Sequence, residues 1–125
     1  GRRLRRPDER LTVDARVEYA RGGRRYPLGP DGSLTQDDTY RLTFVPRANG
    51  YVYVFQIDSS GRSYPIFPSS SYATRENPVR GGETVAVPAG DQWLQLDDVV
   101  GQEHLVLVAS TRPIADPQGM AKTAN

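Results

Sequence analysis

The sequence predicts an all-β domain, an antiparallel two-layer β-sandwich of seven or eight strands. Three observations carry this. Leu11, Val13, Ala15, Val17 and Tyr19 alternate strictly with polar residues, the period of a strand with one buried face. Two runs, Tyr51–Ile57 and His104–Ser110, are nearly continuously apolar and β-branched, as inner strands covered on both faces are. Turn chemistry rich in Gly, Pro, Asn and Asp recurs about every ten residues, and no helical period stands out.

Taken in order, Gly22-Gly23 ends the first strand, and Arg24 to Leu28 reads as its return. Gly29-Pro30-Asp31-Gly32 is a turn, and Leu34 to Asp38 is a loop into a strand in which Tyr40, Leu42 and Phe44 alternate with Arg41 and Thr43. Asn49-Gly50 suits a turn before the first inner strand. Asp58-Ser59-Ser60-Gly61 is an Asx-type hairpin turn, and Arg62 to Phe67 returns from it, with Pro65 marking an edge or a bulge. Residues 68–82 form the longest irregular stretch. Thr84 to Val87 is a short strand, Trp93 to Leu96 another, and Asp97 to Gly101 turns into the second inner strand. Residues 1–10 read as a basic arm, 11–110 as the sandwich and 111–125 as a tail.

The chain has 125 residues, 37% hydrophobic and 25% charged, which is room for one core. No apolar run is long enough to span a bilayer. The chain does not begin with Met and shows no signal-peptide pattern, so it reads as a processed or excised product. It has no Cys, which removes disulfides, thiolate metal sites and Cys nucleophiles. The net charge of +1 is unevenly spread. The first 25 residues hold nine Arg against Asp8, Glu9, Asp14 and Glu18, and the other hundred carry a net −4. A basic arm on an acidic body reads either as a solvated tail or as a docking segment for an acidic surface or anionic lipid; nucleic acid ranks low, because the body would repel it.

Few residues offer catalytic chemistry. There is a single His, His104, at the start of an apolar strand, and the serines lie in no nucleophile-elbow pattern. Phosphate-cradling and dinucleotide glycine patterns are absent. Asp97, Asp98 and Glu103 bracket a turn without EF-hand spacing; turn-capping carboxylates fit better than a Ca²⁺ site there. No catalytic residue, cofactor or metal ligand is therefore assigned. Tyr51, Tyr53 and Phe55 share a strand face flanked by Val52 and Val54 and read as core, whereas Tyr64, Tyr72 and Trp93 lie near loops and suit exposed contacts.

Residues 38–110 resemble a known bacterial family, the "domain of unknown function 4384". The resemblance rests on Asp38-x-Tyr40-Arg41-Leu42-x-Phe44, the block from Gly50 through Tyr-Val-Tyr-Val-Phe-Gln-Ile-Asp-Ser-Ser to Gly61, and Phe67-Pro68. It continues in Asn77-Pro78-Val79-Arg80 with Gly82, in Pro88, and in Gly101-x-Glu103-x-Leu105-x-Leu107-Val-Ala-Ser110. It implies a β-domain acting as an accessory module, often in exported bacterial proteins or beside caspase-like peptidases or kinases, and it brings no catalytic residue.

The function expected is a non-catalytic interaction module acting by protein–protein binding or self-assembly, exported to the periplasm or the cell exterior. In the self-assembly form the 11–19 strand pairs with the next copy and builds a filament, its partner being other copies of the chain; the other possibility is that 11–19 pairs within its own domain. The interaction residues are then Arg2, Arg3, Arg5, Arg6, Leu11, Val13, Val17, Tyr19, Tyr72 and Trp93. The alternative is an accessory domain for a small ligand, peptide or glycan, its site lined by the 68–82 loop and Trp93.

Overall fold

The computed structural model describes residues 10–29, 32–35, 37–73, 75–95 and 102–124. Seven strands run in chain order: β1 (Val13–Arg21), β2 (Arg24–Pro27), β3 (Thr39–Pro46), β4 (Tyr51–Ile57), β5 (Ser63–Phe67), β6 (Val85–Val87) and β7 (His104–Ser110). One helix, α1 (Pro117–Ala124), follows them. The strands form a sheet in the order β2-β1-β3-β6 and a second in the order β5-β4-β7, with every pairing antiparallel.

The two sheets bury one core between them. Tyr40, Leu42 and Phe44 of β3 alternate inward, joined by Val85 and Val87 of β6. From the other sheet come Val52 and Val54 of β4 and Ile66 and Phe67 of β5. Phe44 is fully buried and meets Phe67 edge to face, ring centroids 5.2 Å apart, a favoured aromatic arrangement. Pro65 lies in edge strand β5, next to a register shift between Val54 and Phe55, where a missing N–H costs no ladder bond.

β4 is buried on both faces, as its continuous apolar run predicts, but the second cover is a helix. Phe55 and Ile57 point away from the inter-sheet core and pack with Val108 and the fully buried Ala121 of α1. Tyr53 and Ile114 flank this smaller cluster. So Tyr53 and Phe55 do pack, but on the outer face, not in the core with Tyr40 and Phe44. The absence of any helix, expected from periodicity, does not hold for residues 117–124. The signal there is capping: Asp116 accepts from the N–H of Gly119 at 3.0 Å, and Pro117 occupies the first helical position. Eight residues are too few for a period to declare itself.

Two further expectations are corrected, and one open alternative is decided. The second apolar run, β7, is not an inner strand; it stands at the margin of its sheet, beside β4. Its Leu105 and Leu107 touch the main core while Val106 and Val108 meet the helix cluster, so both faces are apolar without a strand on each side. Trp93 to Leu96 forms no strand among the described residues; Leu94 makes a single bridge, exchanging both backbone bonds with Tyr40. Finally, the 11–19 strand pairs in cis. β1 lies between β2 and β3, with eight residue pairs to β3 from Val13↔Pro46 to Ala20↔Thr39.

The irregular stretch completes the ladder of β4. The Asn77 carboxamide stands in for a strand residue: it accepts from the Val52 N–H at 2.9 Å and donates to the Val52 carbonyl at 3.0 Å. Next to it, Gly50 and Val79 exchange both backbone bonds. A Cβ at Gly50 would sit 2.6 Å from the Ser110 carbonyl oxygen and 2.7 Å from Leu11, so the start of this family-like block must be glycine.

Packing ranks the core substitutions. Phe44→Ala should cost about 3–5 kcal/mol and Phe55→Ala about the same. Leu107→Ala, only half-buried, should cost about 1–2 kcal/mol. Urea unfolding of the three variants measures the order.

Candidate functional site

A concavity follows β1 and β2 across the outer face of the four-stranded sheet. It encloses about 850 Å³ and is lined by residues 15–18 and 25–28 together with Arg41 and Thr43. Strand register explains which side chains meet. Glu18 lies opposite Pro27 on one side and Arg41 on the other, Arg16 lies opposite Thr43, and Ala20 opposite Arg25. These residues share the face opposite Tyr40, Leu42 and Phe44, so the alternation that fills the core also gathers Arg16, Arg25 and Arg41 outside it.

Trp93, half-buried, anchors two of these arginines. The Arg25 and Arg41 guanidinium carbons lie 5.2 Å and 5.6 Å from its ring centroid, within cation–π range. Arg41 also donates to the Gly90 carbonyl at 2.8 Å. Arg25 approaches Glu18 at 4.0 Å across an exposed surface, a weak pairing. Arg16 is exposed and has no ion-pair or hydrogen-bond partner among the described residues. Three arginines against one glutamate leave a cationic surface with apolar patches, suited to an anionic ligand.

A second cleft of about 770 Å³ lies on the other sheet, with Tyr51 and Tyr53 as its floor and residues 68–70, Ala73 and residues 75–77 as its wall. Part of the 68–82 loop lines this second cleft, whereas Trp93 contacts Arg25 and Arg41 of the four-stranded sheet. Tyr72 is half-buried against the main core, its carbonyl accepting from Ala89 N–H at 2.9 Å. Leu11 is buried; Val13, Val17 and Tyr19 pack partly on the core. Arg2, Arg3, Arg5 and Arg6 lie outside the described residues, as do Asp97 and Asp98 and any Ca²⁺ site there. Among the described residues no group of three or more His, Asp or Glu side chains gathers to hold a metal. Nor is any described helix long and apolar enough to cross a membrane.

Buried polar groups lie inside the sandwich. Asp38 is held in a two-pronged pair with Arg21, Nε to Oδ1 at 2.8 Å and Nη2 to Oδ2 at 2.7 Å, and also accepts from Thr35 N–H. That pairing keeps its carboxyl below the usual carboxylate range. Tyr40 donates to Gln56 Oε1 at 2.6 Å, and burial raises its hydroxyl pKa. Gln56 Nε2 and Glu103 Oε2 have no hydrogen-bond partner among the described residues. Gln56 faces Leu105 across the ladder, so Glu103 sits diagonally from it on the same inner face. Burial, then the charges of Asp38 and Asp58, pushes the Glu103 carboxyl up to about 7.

The family model for "Domain of unknown function (DUF4384)" matches residues 33–113. The chain belongs to that family. No curated protein and no solved structure matches it. The DUF4384 match spans β3 to β7 and leaves out β1, β2 and α1, so the cationic cleft joins Arg41 and Thr43 of the family portion to a hairpin that precedes it.

Glu103 sets a pH dependence. A carboxyl whose folded pKa is raised is stabilised while protonated, so its contribution is complete below the unfolded value near 4.5 and is lost as pH rises through about 7. Thermal unfolding across that window should show falling stability in the parent and a flatter profile in Glu103→Gln. Asp38, shifted the other way, acts only at more acid pH.

Proposed function

We propose that this chain is a non-catalytic binding module that holds an acidic protein partner on the outer face of its four-stranded sheet. One observation carries the reading: Arg25 and Arg41 meet at Trp93 and share an open, partly apolar cleft with Arg16. Planar guanidinium groups match carboxylates in two-pronged geometry, and holding Arg25 and Arg41 against an indole lowers the entropy lost on binding. Support for a non-catalytic role comes from His104, exposed at the start of β7, with no described group to orient it as a base. Self-assembly through residues 11–19 loses its main support, because β1 is an internal strand of its own sheet.

Trp93 is the only tryptophan, so its fluorescence reads the cleft directly. Titration with poly-glutamate at low salt should change that emission, and added salt should weaken the response. The double variant R25E/R41E should bind at least about tenfold more weakly, with circular dichroism unchanged. An unresponsive parent at low salt would overturn the proposal.

A further inference from the structure

The cleft contains an unused strand edge. β2 pairs with β1 only from Arg21↔Arg24 to Glu18↔Pro27, and the last bond on that side runs from Leu28 N–H to the Val17 carbonyl at 2.9 Å. Alternation along β1 then fixes the direction of the remaining backbone groups. Val17 uses the β2 side, whereas Thr12, of the other parity, accepts from Arg47 on the β3 side. The N–H and C=O groups of Val13 and Ala15 therefore point outward, past the end of β2, and no described residue pairs with them there. Ala15 is exposed, and it lines the cleft together with Arg16 and Val17.

From this we infer that an extended acidic segment of a protein partner adds as a strand to β1 along Val13–Val17, continuing the sheet where β2 leaves it. This rests on the acidic-partner reading and gives it a geometry. Side chains of an added strand alternate between faces. On the outer face they lie beside Arg16, with Arg25 and Arg41 further along the same cationic face. On the opposite face they lie beside Val13, Ala15 and Val17, whose apolar side chains are partly exposed. The segment recognised thus alternates acidic and apolar residues over about four to five positions, about 13–17 Å of strand.

Charge and edge composition select this occupant over others within the chain. Residues 1–9 hold four Arg against Asp8 and Glu9, the same sign as the cleft. Of the other marginal strands, β5 reads Ser-Tyr-Pro-Ile-Phe and β6 reads Val-Ala-Val, with no acid in either. The margin of β7 is bridged by Arg10 and Leu34.

The test uses a capped peptide of alternating Glu and Val, the same peptide N-methylated at alternate residues to block backbone pairing, and a Lys–Val version. The Glu–Val peptide should bind, slow amide exchange at Val13 and Ala15, and lose at least about tenfold in affinity on N-methylation. The Lys–Val peptide should not bind. Ala15→Pro removes the outward N–H at a position where an edge tolerates proline, and should weaken the Glu–Val peptide alone. N-methylation changes only the ligand, so it decides the matter even if that variant fails to fold. Equal binding of the methylated peptide would overturn strand addition and leave the acidic-partner reading intact. Equal binding of Lys–Val and Glu–Val peptides would overturn that reading, and the inference with it. Protection of Val13 and Ala15 that grows with protein concentration, without peptide, would make a second copy the occupant and overturn the assignment.

Discussion

The middle sheet is apolar on both faces, and the rest of the structure is arranged to cover it. Val52 and Val54 demand a partner on one side of β4, Phe55 and Ile57 on the other. The first demand is met by β3 and β6, the second by an eight-residue helix through Ala121, which has no exposed surface. A helix this short is marginal in isolation; apolar surface waiting beneath it holds it in place. Two layers become three because one strand has no polar face.

Covering that sheet also decides where polarity can go. β3 must turn Tyr40, Leu42 and Phe44 inward, so Arg41 and Thr43 face out, and pairing with β1 sets Arg16 and Glu18 beside them. The cationic face follows from the core by strand alternation. Inside, the polar groups that remain are unevenly satisfied: Asp38 is paired with Arg21 and Thr35, while Gln56 and Glu103 each retain a buried atom with no partner among the described residues. Leaving those groups unpaired costs stability and gives the core its sensitivity to protonation.

Much of this was legible from residue order. Alternation in Leu11–Tyr19 and Tyr40–Phe44 identified half-buried strands, glycine and aspartate placed the hairpins, and Pro65 marked an edge with a bulge. Family resemblance found the segment from β3 to β7. The helix was written in Asp116-Pro117, but capping speaks more quietly than periodicity in so short an element. For the site, Trp93 could be noticed as a loop-borne aromatic; Arg16, Arg25 and Arg41 could not be singled out among the arginines, since they are separated by up to 25 positions and meet only through register.

The sequence by itself determined the period of each strand, the positions of the turns and the contrast between a basic beginning and an acidic body, because these depend on neighbouring residues and steric preference. Tertiary structure alone decided that β1 pairs in cis and that β7 sits at a margin although both its faces are apolar. It also decided that β2 stops short of β1 and leaves two residues with outward-facing backbone groups. Each of these is a question of which distant segment supplies a hydrogen-bond partner, and local pattern carries no information about the identity of that partner.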